Sequence, residues 1–239
     1  MAMPVVVGVG AAASGQAAVT AAYPGGYTAT TNDIGIIFQE CENADTPAAP
    51  SGWSIIVTQA LTSGTTSKLT AMWRRIQAGD TAPSVPDPGN HQTVTMIVVS
   101  GCITAGNPWD VFTNTTELVS DTSVSVPGVT TTVNNCLILA AFGTGQDVNN
   151  TTALTWVNGS LANLAHRRSS WTALGTGGGF AFCTGEKAAF GGTGATTTTA
   201  AVAANFKTLM TIALKEQVAA AGGAPPFKRR QPVGALLDL

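Results

Sequence analysis

"LTAMWRRIQAGDTAP" (69–83) decides how the chain is read. Side chains alternate across a strand, so Leu69, Ala71, Trp73 and Arg75 share one face and Thr70, Met72, Arg74 and Ile76 the other. The first face is the more apolar and is read as the core face. That aims Arg75 inward at the strand end and leaves Arg74 exposed. A buried guanidinium needs an acceptor, because desolvating it alone costs several kcal/mol. Asp80, in the "AGD" turn, is the nearest candidate in sequence. The expectation is an Arg75–Asp80 clamp at a corner between strands, with phosphate or glycan binding as the alternative.

Similar short apolar segments recur on both sides of this stretch. They include "PVVVGVGA" (4–11), "DIGIIFQE" (33–40), "WSIIVTQAL" (53–61), "QTVTMIVVSGC" (92–102), "NCLILAAFG" (135–143), "GGFAFCTG" (178–185) and "KTLMTIAL" (207–214). Between them lie breakers such as "PGG", "PDPGN", "GTGGG" and "FGGTG". About eleven strand candidates without sustained helical periodicity predict an all-β, antiparallel β-sandwich, jelly-roll-like, over residues 1–218. The one helix candidate is "LKEQVAAA" (214–221), with an extension of the last strand as the alternative. Trp53, Trp73, Ile36, Phe38, Leu137, Leu139, Phe180 and Phe182 are the expected core.

Only 10% of the 239 residues are charged, against roughly 25% in an average soluble domain, while 44% are hydrophobic. The exposed face must therefore consist largely of Thr, Ser, Asn and Gln, a composition that suits proteins packed beside copies of themselves. Net charge is −2, so no global field attracts nucleic acid or anionic membrane. The apolar runs fall short of the roughly 20 residues that span a bilayer. The N-terminus lacks the basic start of a signal peptide and reads as a first strand. Cys41, Cys102, Cys136 and Cys183 form no C-x-x-C pair, and buried free thiols are expected rather than a metal site. No cofactor is called for.

The chemistry-bearing residues are sparse. His91 sits in the loop "PDPGNHQ" and reads as solvated. His166 lies beside Arg167, which disfavours the imidazolium of an acid–base pair. No G-x-S-x-G elbow occurs. Glu40, Glu42 and Asp45 in "QECENAD" read as solvated loop charge, since the spacing of a calcium loop is missing. Glu186 is a candidate partner for Arg167 or Arg168. Trp109 and Trp171 are the tryptophans in loop-like contexts and the candidate glycan contacts.

The two halves echo one another. An apolar strand ending "IIF" leads through a loop to Trp53, then to "WRRI" and "AGDTAP". "LILAAF" leads to Trp156, then to "AHRRSS" and "TGEKAAFGG". A duplicated half-fold is one reading, and the chance echo of a two-sheet fold is the other. The last residues, 219–239, change character. Gly222-Gly223 and Pro225-Pro226 break any regular element, Lys228-Arg229-Arg230 is basic, and "VGALLDL" is apolar. This segment reads as an extended C-terminal arm. Phe227, Leu236, Leu237 and Leu239 would fill grooves, and the basic triplet would meet acidic groups on a neighbouring subunit.

Finally, "NDIGIIFQECENADTPAAPSGWSIIV…TSKLTAMWRRIQAGDTAPSV" resembles a domain of structural proteins of tailed bacteriophages. Asp33 opens an apolar strand, Pro50, Gly52 and Trp53 follow, and Trp73, Arg74, Gly79, Asp80 and Pro83 complete the pattern. "GEKAAFGGTGATTTT" (185–199) and "TIALK" (211–215) are similar too. The resemblance implies a non-enzymatic virion protein on the exterior of a capsid or tail, made in the host cytoplasm. Its partners would be copies of itself and other virion proteins. A carbohydrate-binding or receptor-binding tip that contacts a host surface glycan is the alternative.

Overall fold

The structure is a computed structural model that describes residues 3–61, 66–146, 153–204 and 206–217; of residues 201–204 only the backbone is described. Among these residues there is no helix. The first half contains β1 (Val5–Val9), β2 (Ala13–Gly15), β3 (Val19–Thr20), β4 (Ile34–Cys41), β5 (Ser54–Leu61), β6 (Ser67–Arg75), β7 (Ser84–Val85) and β8 (Gln92–Ser100). The second half contains β9 (Trp109–Glu117), β10 (Asp121–Val126), β11 (Thr130–Thr131), β12 (Cys136–Thr144) and β13 (Trp156–Val157). It continues with β14 (Ala162–Thr172), β15 (Gly178–Lys187), β16 (Gly191–Gly192), β17 (Thr196–Ala204) and β18 (Lys207–Lys215).

Two antiparallel sheets face one another. One has the order β1-β8-β4-β6-β5, with β2 also on β8; the other is β14-β15-β12-β18-β9. Each sheet is built from one half of the sequence, so the chain crosses between the main sheets once, from β8 to β9. This path differs from that of a jelly roll, whose strands alternate between the two sheets.

Residues 34, 36 and 38 of β4, Leu69 and Ala71 of β6, and Ile97 and Val99 of β8 meet the opposite sheet. There they pack on Leu137 and Leu139 of β12, Phe180 and Phe182 of β15, and Met210 and Ile212 of β18. Phe38 lies 4.7 Å from Phe182 between ring centroids. The reverse faces are apolar too. Ile37, Met72, Val94, Met96 and Val98 are covered by Ala21, Trp53, Ile76 and Val85. Ala140, Phe142, Ala181 and Cys183 are covered by Val124, Val126, Trp156 and Ala200. β4, β8 and β12 therefore read as unbroken apolar runs instead of an alternation, as strands buried on both faces do. Of the expected core, Trp73 is half-buried, and Trp53 is buried on the reverse face of its sheet rather than between the sheets.

The halves share one topology. Matching β1 with β9, β4 with β12, β5 with β14, β6 with β15 and β8 with β18 turns one sheet order into the other. The covering segments match as well. In each half, the chain entering the second main strand pairs with the chain entering the last: β3 with β7, and β10 with β17 together with β11 with β16. Trp53 and Trp156 precede matching strands and are equally buried, at 8% exposure. The Arg pairs do not match. Arg74 and Arg75 lie on β6, whereas Arg167 and Arg168 lie on β14, the counterpart of β5. The sequence echo was in register for the strands and out of register for the arginines.

Where 214–221 is described, it extends the last strand and is not a helix. Leu214 and Lys215 end β18, and Glu216 bridges to Cys102. The arm and its residues Phe227, Lys228, Arg229, Arg230, Leu236, Leu237 and Leu239 lie outside the described residues.

Candidate functional site

Polar chemistry gathers at the two ends of the sandwich. At the first end stand the opening arginines. Asp80 pairs with Arg74, not Arg75: Arg74 Nε donates to Oδ2 at 2.9 Å and Nη2 to Oδ1 at 2.7 Å. The pleat was read correctly, with Leu69, Ala71 and Trp73 toward the sandwich core and Met72 away from it. A tight turn, however, carries Asp80 back along the outer face. Asp80 N–H donates to the Gln77 carbonyl, and Oδ2 accepts from Gln77 N–H. Arg74 is thus three-quarters buried rather than exposed.

The "PSGW" turn packs over it. Trp53 N–H donates to the Pro50 carbonyl, and Gly52 has φ 76°. A Cβ at Gly52 would lie 2.1 Å from Arg74 Nη1, so both conformation and close approach require glycine there. Arg75 reaches across to the opposite loop and donates to the carbonyls of Ile103 (2.5 Å) and Gly106 (3.0 Å). Both arginines therefore hold loops, each through a fork of donors.

The other end holds a buried network that the sequence had disguised as loop charge. Glu40 and His91 are fully buried. His91 Nε2 lies 3.3 Å from Glu40 Oε2, and Ser67 Oγ donates to Glu40 Oε1 at 2.9 Å. Asn90 Oδ1 lies 3.2 Å from His91 Nδ1, and Asn90 N–H donates to the buried Asp45. Lys68 Nζ donates to the Asp45 carbonyl. Gly178 makes room: a Cβ there would lie 2.5 Å from Glu40 Oε1.

Burial pushes the Glu40 carboxyl up to about 7, against the opposing effect of its bonds to His91 and Ser67. Burial lowers the His91 pKa, but the Glu40 hydrogen bond and the nearby carboxylates outweigh it and leave His91 raised. Ser67 donates to the carboxylate and not to the imidazole; the hydroxyl beside His91 is that of Thr176, whose Oγ1 lies 3.4 Å from Nδ1 and donates to Asn90 Oδ1 at 3.2 Å. The solvated readings of His91, Glu40 and Asp45 are overturned: Glu40 faces inward from β4, and the loops carrying His91 and Asp45 fold over the sandwich end.

The remaining candidates are distributed singly. Trp156 Nε1 donates to His166 Nδ1 at 3.1 Å, and the His166 pKa is lowered by burial and by Arg168. Arg167 donates to Thr184 and Arg168 to the Gly10 carbonyl, while Glu186 accepts from Asn163. Glu186 therefore partners neither arginine. Trp109 and Trp171 are on strands β9 and β14, not in loops. Both are half-buried: Trp109 packs edge-on to Trp73 and Trp171 beside Phe142.

The four cysteines are buried and free. Among the described residues no cluster of three or more His, Cys, Asp or Glu could hold a metal ion, and no helix is long and apolar enough to cross a membrane.

Sequence reasoning missed Lys207. It is fully buried and donates to the Val119 carbonyl (3.1 Å) and Asp121 Oδ1 (2.9 Å), with Glu117 Oε1 at 3.3 Å. A lysine opening an apolar strand reads as solvated. Only the strand alignment of the two halves would have placed it opposite Gln92, which is also fully buried.

The sequence matches no protein-family model, and neither curated proteins nor solved structures give a significant match.

Proposed function

We propose that the chain is a non-enzymatic structural protein of a tailed-bacteriophage particle, a decoration or attachment component on the exterior of capsid or tail. The observation that carries this reading is how its few charged and polar side chains are used. Arg74, Arg75, Lys68, Lys207 and Gln92 each fasten a loop or covering segment to the sandwich. Both sheets are covered on both faces. The result is a stack of packed layers held at both ends, in a chain with only 10% charged residues, suited to repeated side-by-side packing. The sequence resemblance to phage structural domains supports the same reading.

The test is to purify assembled particles on a density gradient and label them with antibody against this chain. Co-migration in fixed stoichiometry, with label on the outside of intact particles, is expected. Recovery of the chain only in the unassembled fraction overturns the proposal. On the alternative reading, Trp109 and Trp171 would serve as glycan platforms, yet each has part of its surface packed against another ring. Glycan-array binding abolished by Trp109→Ala or Trp171→Ala would restore that alternative.

A further inference from the structure

At the end of the sandwich where β18 finishes, a groove of about 310 Å³ is lined by Ile103, Val133, Phe190, Lys215 and Glu216, among others. Phe190 is 67% exposed, and its backbone is tied down, the N–H donating to Asn134 Oδ1 at 2.9 Å. Val133 beside it is exposed as well. An exposed aromatic next to a second exposed apolar side chain, on a backbone held in place, suits an interface.

Glu216 is buried to 6% exposure. Its Oε1 accepts from Asn135 Nδ2 at 3.0 Å, while its Oε2 has no hydrogen-bond partner among the described residues. Asp110 stands on the same side, bonded to Thr132 of the groove. The groove thus combines an apolar wall with one cation, Lys215, and two carboxylates, Asp110 and the under-satisfied Glu216. The matching ligand is an apolar side chain followed by a cation.

The chain carries such a segment. Phe227-Lys228-Arg229-Arg230 holds three of its eleven Lys and Arg residues in succession behind an aromatic. We propose that this groove receives residues 227–230 of a neighbouring copy, with Phe227 against Phe190 and the basic side chains in the field of Glu216 and Asp110. The proposal rests on the assembly reading above and supplies its contact. Lys215 lines the groove at the end of β18. A copy's own residue 227 would have to double back within about ten residues with Pro225-Pro226, which favour an extended chain, immediately before it, whereas a neighbour's segment enters extended. The stretch from Gln217 to Phe227 reaches up to about 33 Å, enough to pass between adjacent subunits.

Two measurements test this. In the first, the full chain with Lys228, Arg229 and Arg230 all changed to Ala is titrated with a labelled peptide of residues 225–233. Saturable binding that weakens as salt is raised is expected, because the contact is partly ionic. Adding Glu216→Gln, which keeps the Asn135 bond, or Phe190→Ser, at an exposed position, should weaken binding about tenfold. No binding, or binding indifferent to both changes, overturns the proposal.

In the second, sedimentation of the full chain should show concentration-dependent association. Glu216→Gln and the triple arm variant should each lose it, and their combination should do no more. A wild-type chain that stays monomeric while the peptide binds would place the segment in its own groove and overturn the proposal. Association lost in the arm variant but unchanged in Glu216→Gln would overturn the groove while leaving the assembly reading standing.

Discussion

The two halves of the molecule solve one structural problem with different chemistry. In each, the residue that opens the last main strand is fully buried on the outer face and fastens the covering chain. In the first half it is Gln92, whose amide donates to the carbonyls of Ala17 and Pro86 and whose oxygen accepts from Gln39. In the second it is Lys207, held by Val119, Glu117 and Asp121. The neutral solution avoids the desolvation cost of a charge. The ionic one meets that cost with two carboxylates, Glu117 at the end of β9 and Asp121 on the covering strand β10.

The core-facing side of the same end is asymmetric as well. Glu40 of β4 matches Gly143 of β12 by strand register. One half thus supplies a carboxylate where the other has a glycine backbone packed against Thr208 and Leu69. Equivalent positions in one topology therefore need not carry equivalent chemistry, provided each buried polar group finds its partner locally.

Exchanging the solutions breaks the comparison most severely. Gln92→Lys buries an ammonium among carbonyl acceptors with no carboxylate among the Gln92 partners. The expected loss is about 4 kcal/mol, read as a lowered urea midpoint. The reverse exchange, Lys207→Gln, should cost about 2 kcal/mol. An amide still reaches for the Val119 carbonyl, and the half-exposed Asp121 recovers water. Equal losses for the two exchanges would show that the halves do not differ in the way described.

The Glu40–His91 pair makes the first half pH-sensitive. Glu40 releases its proton at about pH 7 in the fold, against an ordinary value of 4.5. Between these values the folded chain holds a proton that the unfolded chain has lost. The stabilisation is therefore full below pH 4.5 and is lost as pH rises through about 7. His91, also raised, acts in the same direction: its contribution is present below its ordinary 6.5 and is lost as pH rises through its folded value. The melting temperature of the wild type relative to Glu40→Gln should fall as pH is raised across this window. A constant difference would remove the linkage. His166 acts oppositely, since its lowered pKa favours the fold above 6.5; it is common to both proteins and cancels in the comparison.

Strands were legible because apolar runs and Gly/Pro punctuation record them directly. The core list was largely legible for the same reason. The order of the strands was not, since pairing is decided by long-range contacts that no local pattern carries. The repeated topology left only a faint trace, since packing constrains hydrophobicity and not residue identity. The polar partners were the least legible. Asp80 lies five residues from Arg75 and six from Arg74, and only the path of the Gln77–Asp80 turn decides between them. Glu40 and His91 are fifty-one residues apart and meet through tertiary folding, beyond any local pattern.

The arginine pair gives the smallest effects and the sharpest local comparison. Arg74→Ala removes a bidentate pair to Asp80 that is only partly screened, with side-chain exposures of 28% and 18%. It also leaves the guanidinium site beside Gly52 vacant. A loss of about 1–2 kcal/mol is expected. Arg75→Ala removes two bonds to the carbonyls of Ile103 and Gly106. Gly106 lies on an exposed loop where water can replace the lost donor, so about 1 kcal/mol is expected. The two variants should differ most in Asp80→Asn backgrounds. Arg74→Ala should then lose most of its effect, because its partner is already neutral, while Arg75→Ala should keep its own in full. Urea midpoints for the two single variants, Asp80→Asn and the two doubles complete both cycles. Coupling of Asp80 to Arg75 rather than to Arg74 would mean that the turn runs along the inner face of β6, and the assignment of the clamp would fail.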